Sequence, residues 1–199
     1  MHQSSFILVI GAVCTLLPTS VRSQNVVVTL PPEPKTRLES IENRIGTILL
    51  RANAPVGAVT AAKGVLSVVC KEDKDLGDGS VERGIAIGIT SGDKPEDTTF
   101  LDREEIGGLL NAIDYFTKVD WAVTSLPNFS AAYETKAGFR IAVFVSKRSG
   151  TIEIAVRTTH EGNTPLVLTR DQLAQFKLLL EQAQKKIESL LKGNDANQN

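Results

Sequence analysis

The chain has 199 residues, 42% of them hydrophobic and 23% charged, with a formal net charge of −1. That composition excludes a disordered, collagen-like or disulfide-dense chain, and the length suits one domain or two small ones. No apolar run reaches the roughly 18 residues of a membrane-crossing helix, so no stable membrane insertion is expected.

Residues 1–23 read as a secretory signal peptide. An apolar stretch runs from Phe6 to Leu17, Pro18 breaks it, and Val21 and Ser23 are placed for cleavage before Gln24. The alternative is an uncleaved buried helix. Cleavage implies an exported protein, periplasmic or extracellular. It removes Cys14, His2 and one of the 22 basic residues, Arg22, but none of the 23 acidic ones, so the charge becomes −2. The thiol left is Cys70 and the imidazole left is His160. One thiol allows no intrachain disulfide. Cys70 closes the apolar run from Val65 and is read as a small buried hydrophobe, with pairing between chains as the alternative.

Residues 24–35 contain Pro31-Pro32-Glu33-Pro34 and read as an extended linker. A single α+β domain is expected over 36–193, followed by a flexible polar tail over 194–199. Thr36 and Glu39 form a capping-box pattern, with Leu38, Ile41 and Ile45 at helical spacing and Gly46 as a stop. Strands are expected over 47–51 and 65–71, then a polar loop over 72–80 with an Asp78-Gly79 turn. Ile85, Ile87 and Ile89 alternate with Gly84, Ala86 and Gly88 as one large-residue strand face. A short strand ends at Phe100-Leu101. Asp102 and Glu105 open a helix whose stripe is Ile106, Leu109, Leu110, Ile113 and Phe116. Gly107-Gly108 inside it marks a tight helix crossing or a kink. Further strands are expected over 121–125, 139–145, 152–156 and 166–168. Thr169 and Gln172 open a last helix with a stripe of Leu173, Phe176, Leu180, Ala183, Ile187 and Leu190, and Gly193 is placed as its C-cap.

Residues 84–118 align without a gap on 151–185, at an offset of 67. The five identities in 35 are few, so the shared order of strand, loop, short strand, capping box and helix carries the comparison. The expected architecture is two β-β-β-β-α repeats, about 36–118 and 119–193, whose antiparallel sheets pack with helices around a shared core.

Arg140-Ile141-Ala142-Val143, Ile152 through Arg157 and Leu168 through Leu173 resemble the single-strand-binding domain of the positive-cofactor coactivators. Two such units over roughly 45–190 look like the Whirly family. The resemblance implies curved antiparallel sheets, tandem repeats and single-stranded nucleic-acid binding. The chain departs from that pattern in Lys63-Gly64-Val65-Leu66, which lacks a second lysine, in its slightly acidic charge, and in its export segment.

No catalytic set emerges. His160 lies in a hairpin loop with no Gly-x-Ser-x-Gly nucleophile near it. Asp73 to Gly79 lacks the spacing and closing glutamate of a calcium loop. Glu104 and Glu105 suit a helix N-terminus. Asn128-Phe129-Ser130 is a glycosylation sequon. No enzyme activity, cofactor or metal is expected. The chain reads as a non-catalytic binding or scaffolding protein for an unknown macromolecule, a protein before a nucleic acid, with a homo-oligomer left open. The alternative is the single-strand binder that the resemblance implies. Strand alternation places Arg140, Phe144 and Arg157 on one face opposite Ile141, Val143, Val145, Ile152, Ile154 and Val156, as the candidate binding face. Packing of Phe144 under a helix or the other unit is the alternative.

Overall fold

The computed structural model describes residues 33–92, 96–146, 148–158 and 165–196. The signal segment, most of the Pro-rich linker, His160 and the last three tail residues lie outside these. The described residues belong to one unit within Glu33–Asn199. Among them no helix is long and apolar enough to cross a membrane.

Helix α1 (Arg37–Glu42) starts at the expected box. Thr36 Oγ1 accepts the Glu39 N–H, and the Glu39 carboxylate accepts the Thr36 N–H, each at 3.1 Å. Six residues cannot hold a helix in water. Burial of Leu38 and Ile41 seats it, and the Asp102 carboxylate, 65 residues away, accepts the Arg37 N–H at 3.1 and 3.2 Å. The stripe stops there. The helix ends before Asn43, Gly46 takes φ +81°, and Ile45 is 98% exposed, not packed.

The first sheet runs β1 (Leu49–Ala61), β2 (Gly64–Asp75), β3 (Val81–Ser91) and β4 (Asp97–Asp102), antiparallel and in that order. Both of its first strands exceed their expected lengths. β1 is an edge strand, which tolerates Pro55, and its pairing shifts between Pro55 and Gly57, so a sequence rich in Ala, Asn and Pro still forms a long strand. A Cβ on Gly57 would lie 2.7 Å from a Leu179 methyl, so glycine admits the last helix there. β2 extends through the polar run to Asp75 because its charges find partners. Glu72 stands opposite Arg83 and bonds it at 2.5 Å, and Asp75 takes Arg44 at 2.8 Å.

The Glu105 carboxylate accepts the Asp102 N–H at 3.2 Å, and a 3-10 turn over Arg103–Glu105 leads into α2 (Ile106–Lys118). Ile106, Leu109, Ile113 and Phe116 are buried. Gly107-Gly108 does not mark a helix crossing. A Cβ on Gly108 would come within 2.5 Å of the Tyr133 hydroxyl, so this glycine admits a strand side chain. Residues 121–125 are not a strand: Trp121–Val123 forms a 3-10 turn, because the Asp120 carboxylate accepts the Ala122 N–H at 2.8 Å.

The second sheet runs β5 (Ser130–Glu134), β6 (Arg140–Val145), β7 (Ile152–Arg157) and β8 (Leu166–Leu168), antiparallel and in that order. β5 was not expected from the sequence. α3 (Arg170–Ala196) opens on a reciprocal box: the Thr169 N–H donates to Gln172 Oε1 at 2.8 Å, and the Gln172 N–H to Thr169 Oγ1 at 3.1 Å. Leu173, Phe176, Leu180, Ala183 and Ile187 are buried, but Leu190 is 42% exposed. Gly193 does not end the helix, which continues to Ala196, into the residues expected as tail.

α3 packs on β1, β2, β3 and α2, and α2 packs on β6. Phe139 and Phe176 meet with ring centroids 5.7 Å apart, inside one buried cluster that draws on both sheets and both long helices. Cys70 belongs to that cluster, 4% exposed, its thiol 3.6 Å from the Ala183 carbonyl. Burial pushes that thiol's pKa up. The strand order is the same in both sheets, yet the offset-67 alignment needs a shift. Ile85 pairs with Leu101, whereas Leu168 pairs with Ile154 and not with Ile152. A shift of two residues keeps every side chain on its own face.

Candidate functional site

The three residues singled out by alternation share one face of the second sheet. Strand pairing arranges that face in rungs. Glu134, Arg140 and Arg157 form the first rung, Ala132, Ala142, Ala155 and Val167 the second, and Ser130, Phe144 and Glu153 the third. Neighbouring rungs are two residues apart, about 6.7 Å, so the arginine and phenylalanine rungs are separated by about 13 Å. Alanines between them leave a recess.

This face lines a concavity of about 880 Å³. Phe144 is half-buried and lines it, so the alternative of core packing does not hold. Ala62 and Lys63, at the β1–β2 turn, and Thr169 and Gln172, at the start of α3, contribute a wall. Gln172 Nε2 donates to the Thr60 carbonyl at 2.8 Å and holds that turn in place. Lys63 and Gln172 were not identified as site residues from the sequence. Lys63-Gly64 stood out there only as a departure from the Whirly pattern, and Gln172 only as a cap.

The electrostatics are uneven. Arg140 pairs with Glu134 at 3.2 Å, both half-exposed. Arg157 lies directly opposite Arg140 and has no ion-pair or hydrogen-bond partner among the described residues. Like charges directly opposite across a strand pair repel. Glu153, two rungs away, accepts the Ser149 hydroxyl at 3.0 Å.

One end of the corresponding face of the first sheet is covered by α1, while Ser67, Val69, Ala86, Thr98 and Phe100 line a concavity of about 540 Å³ beyond it. Gly84 lies under Leu38 of α1, and a Cβ there would be 2.6 Å from a Leu38 methyl. Phe100 lies across from Ala86, and Lys71 Nζ covers its ring at 4.7 Å from the centroid. Lys71 is itself neutralised by Glu42 of α1 and by Asp73, whose carboxylate is 3.4 Å away. Asp73 is wholly buried and makes no hydrogen bond.

Beneath α1, a second set of charges ties the β2–β3 turn. Arg44 bonds Asp75 at 2.8 Å and Asp78 at 2.7 Å. The Thr47 hydroxyl and then the Arg44 guanidinium hold the Asp75 carboxyl down at about 2. Asn128 of the sequon is exposed, while Phe129 beside it meets Trp121 edge-on at 6.0 Å. Among the described residues no three His, Cys, Asp or Glu side chains gather as a metal site needs. No protein-family model matches the chain, and no curated protein matches it.

Proposed function

We propose that this is an exported, non-catalytic binding protein that recognises a protein partner through the open face of the second sheet. The chain is taken as two β-β-β-β-α units around a common core, one with its outer face partly covered by α1 and its lysine neutralised, the other with the larger open concavity. The observation that carries it is that contrast. On the first face the basic group is paired and a helix covers one end of the sheet, leaving a concavity of about 540 Å³ against about 880 Å³ on the second. On the second, the Arg157 guanidinium has no partner among the described residues and stands beside Arg140, and Phe144 lines an open concavity. Aromatic and arginine side chains are the groups that most often dominate binding at protein interfaces. Export is supported by the apolar segment and Pro18 break at the start of the chain, and the amino terminus of the exported protein, expected at Gln24, tests it.

The experiment is a triple variant, Arg140→Ala, Phe144→Ser and Arg157→Ala. None of the three is in the buried core, so the variant melts within a few degrees of the parent. Co-precipitation from the protein's native compartment is expected to lose the partner that the parent retains. Retention of that partner by a folded triple variant overturns the proposal.

A further inference from the structure

We infer that the open face takes an extended acidic–apolar polypeptide segment, with one carboxylate on the arginine rung and a bulky apolar side chain in the alanine recess; this rests on reading that face as the recognition surface. The spacing supplies the first argument. Side chains on one side of an extended chain repeat every two residues, about 6.7 Å, which is the spacing of the rungs. A segment running along the strands therefore puts residue i over Arg140 and Arg157, i+2 over Ala142 and Ala155, and i+4 beside Phe144.

Charge supplies the second. The first rung holds two opposed guanidinium groups and one carboxylate, Glu134. An incoming carboxylate relieves the repulsion and gives Arg157 the partner it lacks, through a charge-assisted hydrogen bond. The middle rung carries no charge, and the third carries the carboxylate of Glu153. A single-stranded nucleic acid brings a phosphate with every nucleotide and meets cations on one rung of the face, with Lys63 in the wall as the one further cation among the lining residues. The face thus favours one anion at one end with an apolar continuation. Volume supplies the third: about 880 Å³ falls within the roughly 300–1,000 Å³ typical of ligand-binding cavities.

The test is fluorescence anisotropy of the full chain with three labelled peptides: Gly-Asp-Gly-Leu-Gly-Leu, its Asp→Asn form, and its form with both leucines replaced by serine. The first is expected to bind at least about tenfold more tightly than either other, with the Asp advantage shrinking in high salt. Arg157→Ala is expected to erase the difference between Asp and Asn. Ala142→Leu, which fills the recess, is expected to erase the difference between Leu and Ser while the melting temperature stays near the parent's. Equal binding of the Asp and Asn peptides overturns the inference, as does tighter binding of an oligothymidylate that competes with them. If no peptide binds yet partner capture still depends on Arg140, Phe144 and Arg157, the segment chemistry is wrong and the recognition surface stands. If capture ignores those residues, the recognition surface itself falls.

Discussion

Replacing Lys71 by methionine strands the Asp73 carboxylate inside the fold. Asp73 is fully buried, neither of its oxygens is hydrogen-bonded, and its countercharge is Lys71 Nζ at 3.4 Å. Methionine keeps an apolar side chain against the Phe100 ring, so the perturbation is electrostatic before it is steric. Breaking a buried ion pair from one side costs about 3–5 kcal/mol. The Lys71 side chain keeps 10% exposure, and Glu42, left behind with it, keeps 21% and can hydrate. The lower end applies, about 3 kcal/mol, which for a domain of this size lowers the melting temperature by about 6–12 °C. Urea denaturation followed by circular dichroism measures it. Adding Asp73→Asn to Lys71→Met is expected to recover about 2 kcal/mol, because the stranded charge is gone. A cost below about 1 kcal/mol for Lys71→Met, or no recovery in the double variant, refutes the claim that this pair balances a buried charge.

Gly84→Ala is expected to cost about 1–3 kcal/mol by urea titration, since its Cβ would lie 2.5 Å from the Leu101 carbonyl oxygen and 2.6 Å from a Leu38 methyl; an unchanged midpoint contradicts the tight seating of α1. Thr169→Ala removes one half of the reciprocal cap on α3 and is expected to cost about 1 kcal/mol, whereas Thr169→Asn retains most of it; equal losses in the two variants argue against capping. The Asp75 carboxyl, lowered from 3.8 to about 2 in the fold, adds stability that is present above pH 4 and is lost as pH falls through 2; Asp75→Asn is expected to flatten acid unfolding in that window, and an unchanged acid profile contradicts the Thr47–Asp75–Arg44 clasp. Cys70, 4% exposed and with its thiol pKa raised by burial, is expected to resist thiol reagents at pH 8 until the protein unfolds; rapid labelling of the native chain, or a disulfide-linked dimer, contradicts its place in the core.

What the sequence revealed follows from the range of each signal. Caps and stripes are local, so Thr36 with Glu39, Thr169 with Gln172 and the Ile106–Phe116 stripe were readable. Ile/Val alternation likewise placed Arg140, Phe144 and Arg157 together, and the rungs bear that placement out. Elements held by distant partners were not readable. β1 hides its strand in Ala, Asn and Pro because β2 and α3 supply its hydrogen bonds and cover. β5 is short and alanine-rich, and its Tyr133 is packed by a glycine 25 positions away. The seating of α1 on one end of the first sheet depends on Asp102 reaching Arg37 across 65 residues, which no window along the chain contains. The wall made by Lys63 and Gln172 is likewise a tertiary contact.

Site-directed photo-crosslinking tests the recognition surface most directly. A photoreactive residue is placed at Val167, 47% exposed on the open face, and in a second protein at Thr98, exposed on the first sheet's outer face. The full chain is irradiated in its native compartment. A discrete crosslinked partner is expected from Val167 and none from Thr98, with the Val167 product lost when Arg140 and Arg157 are both changed to alanine. Equal crosslinking from the two positions, or a Val167 product indifferent to the arginines, would contradict it.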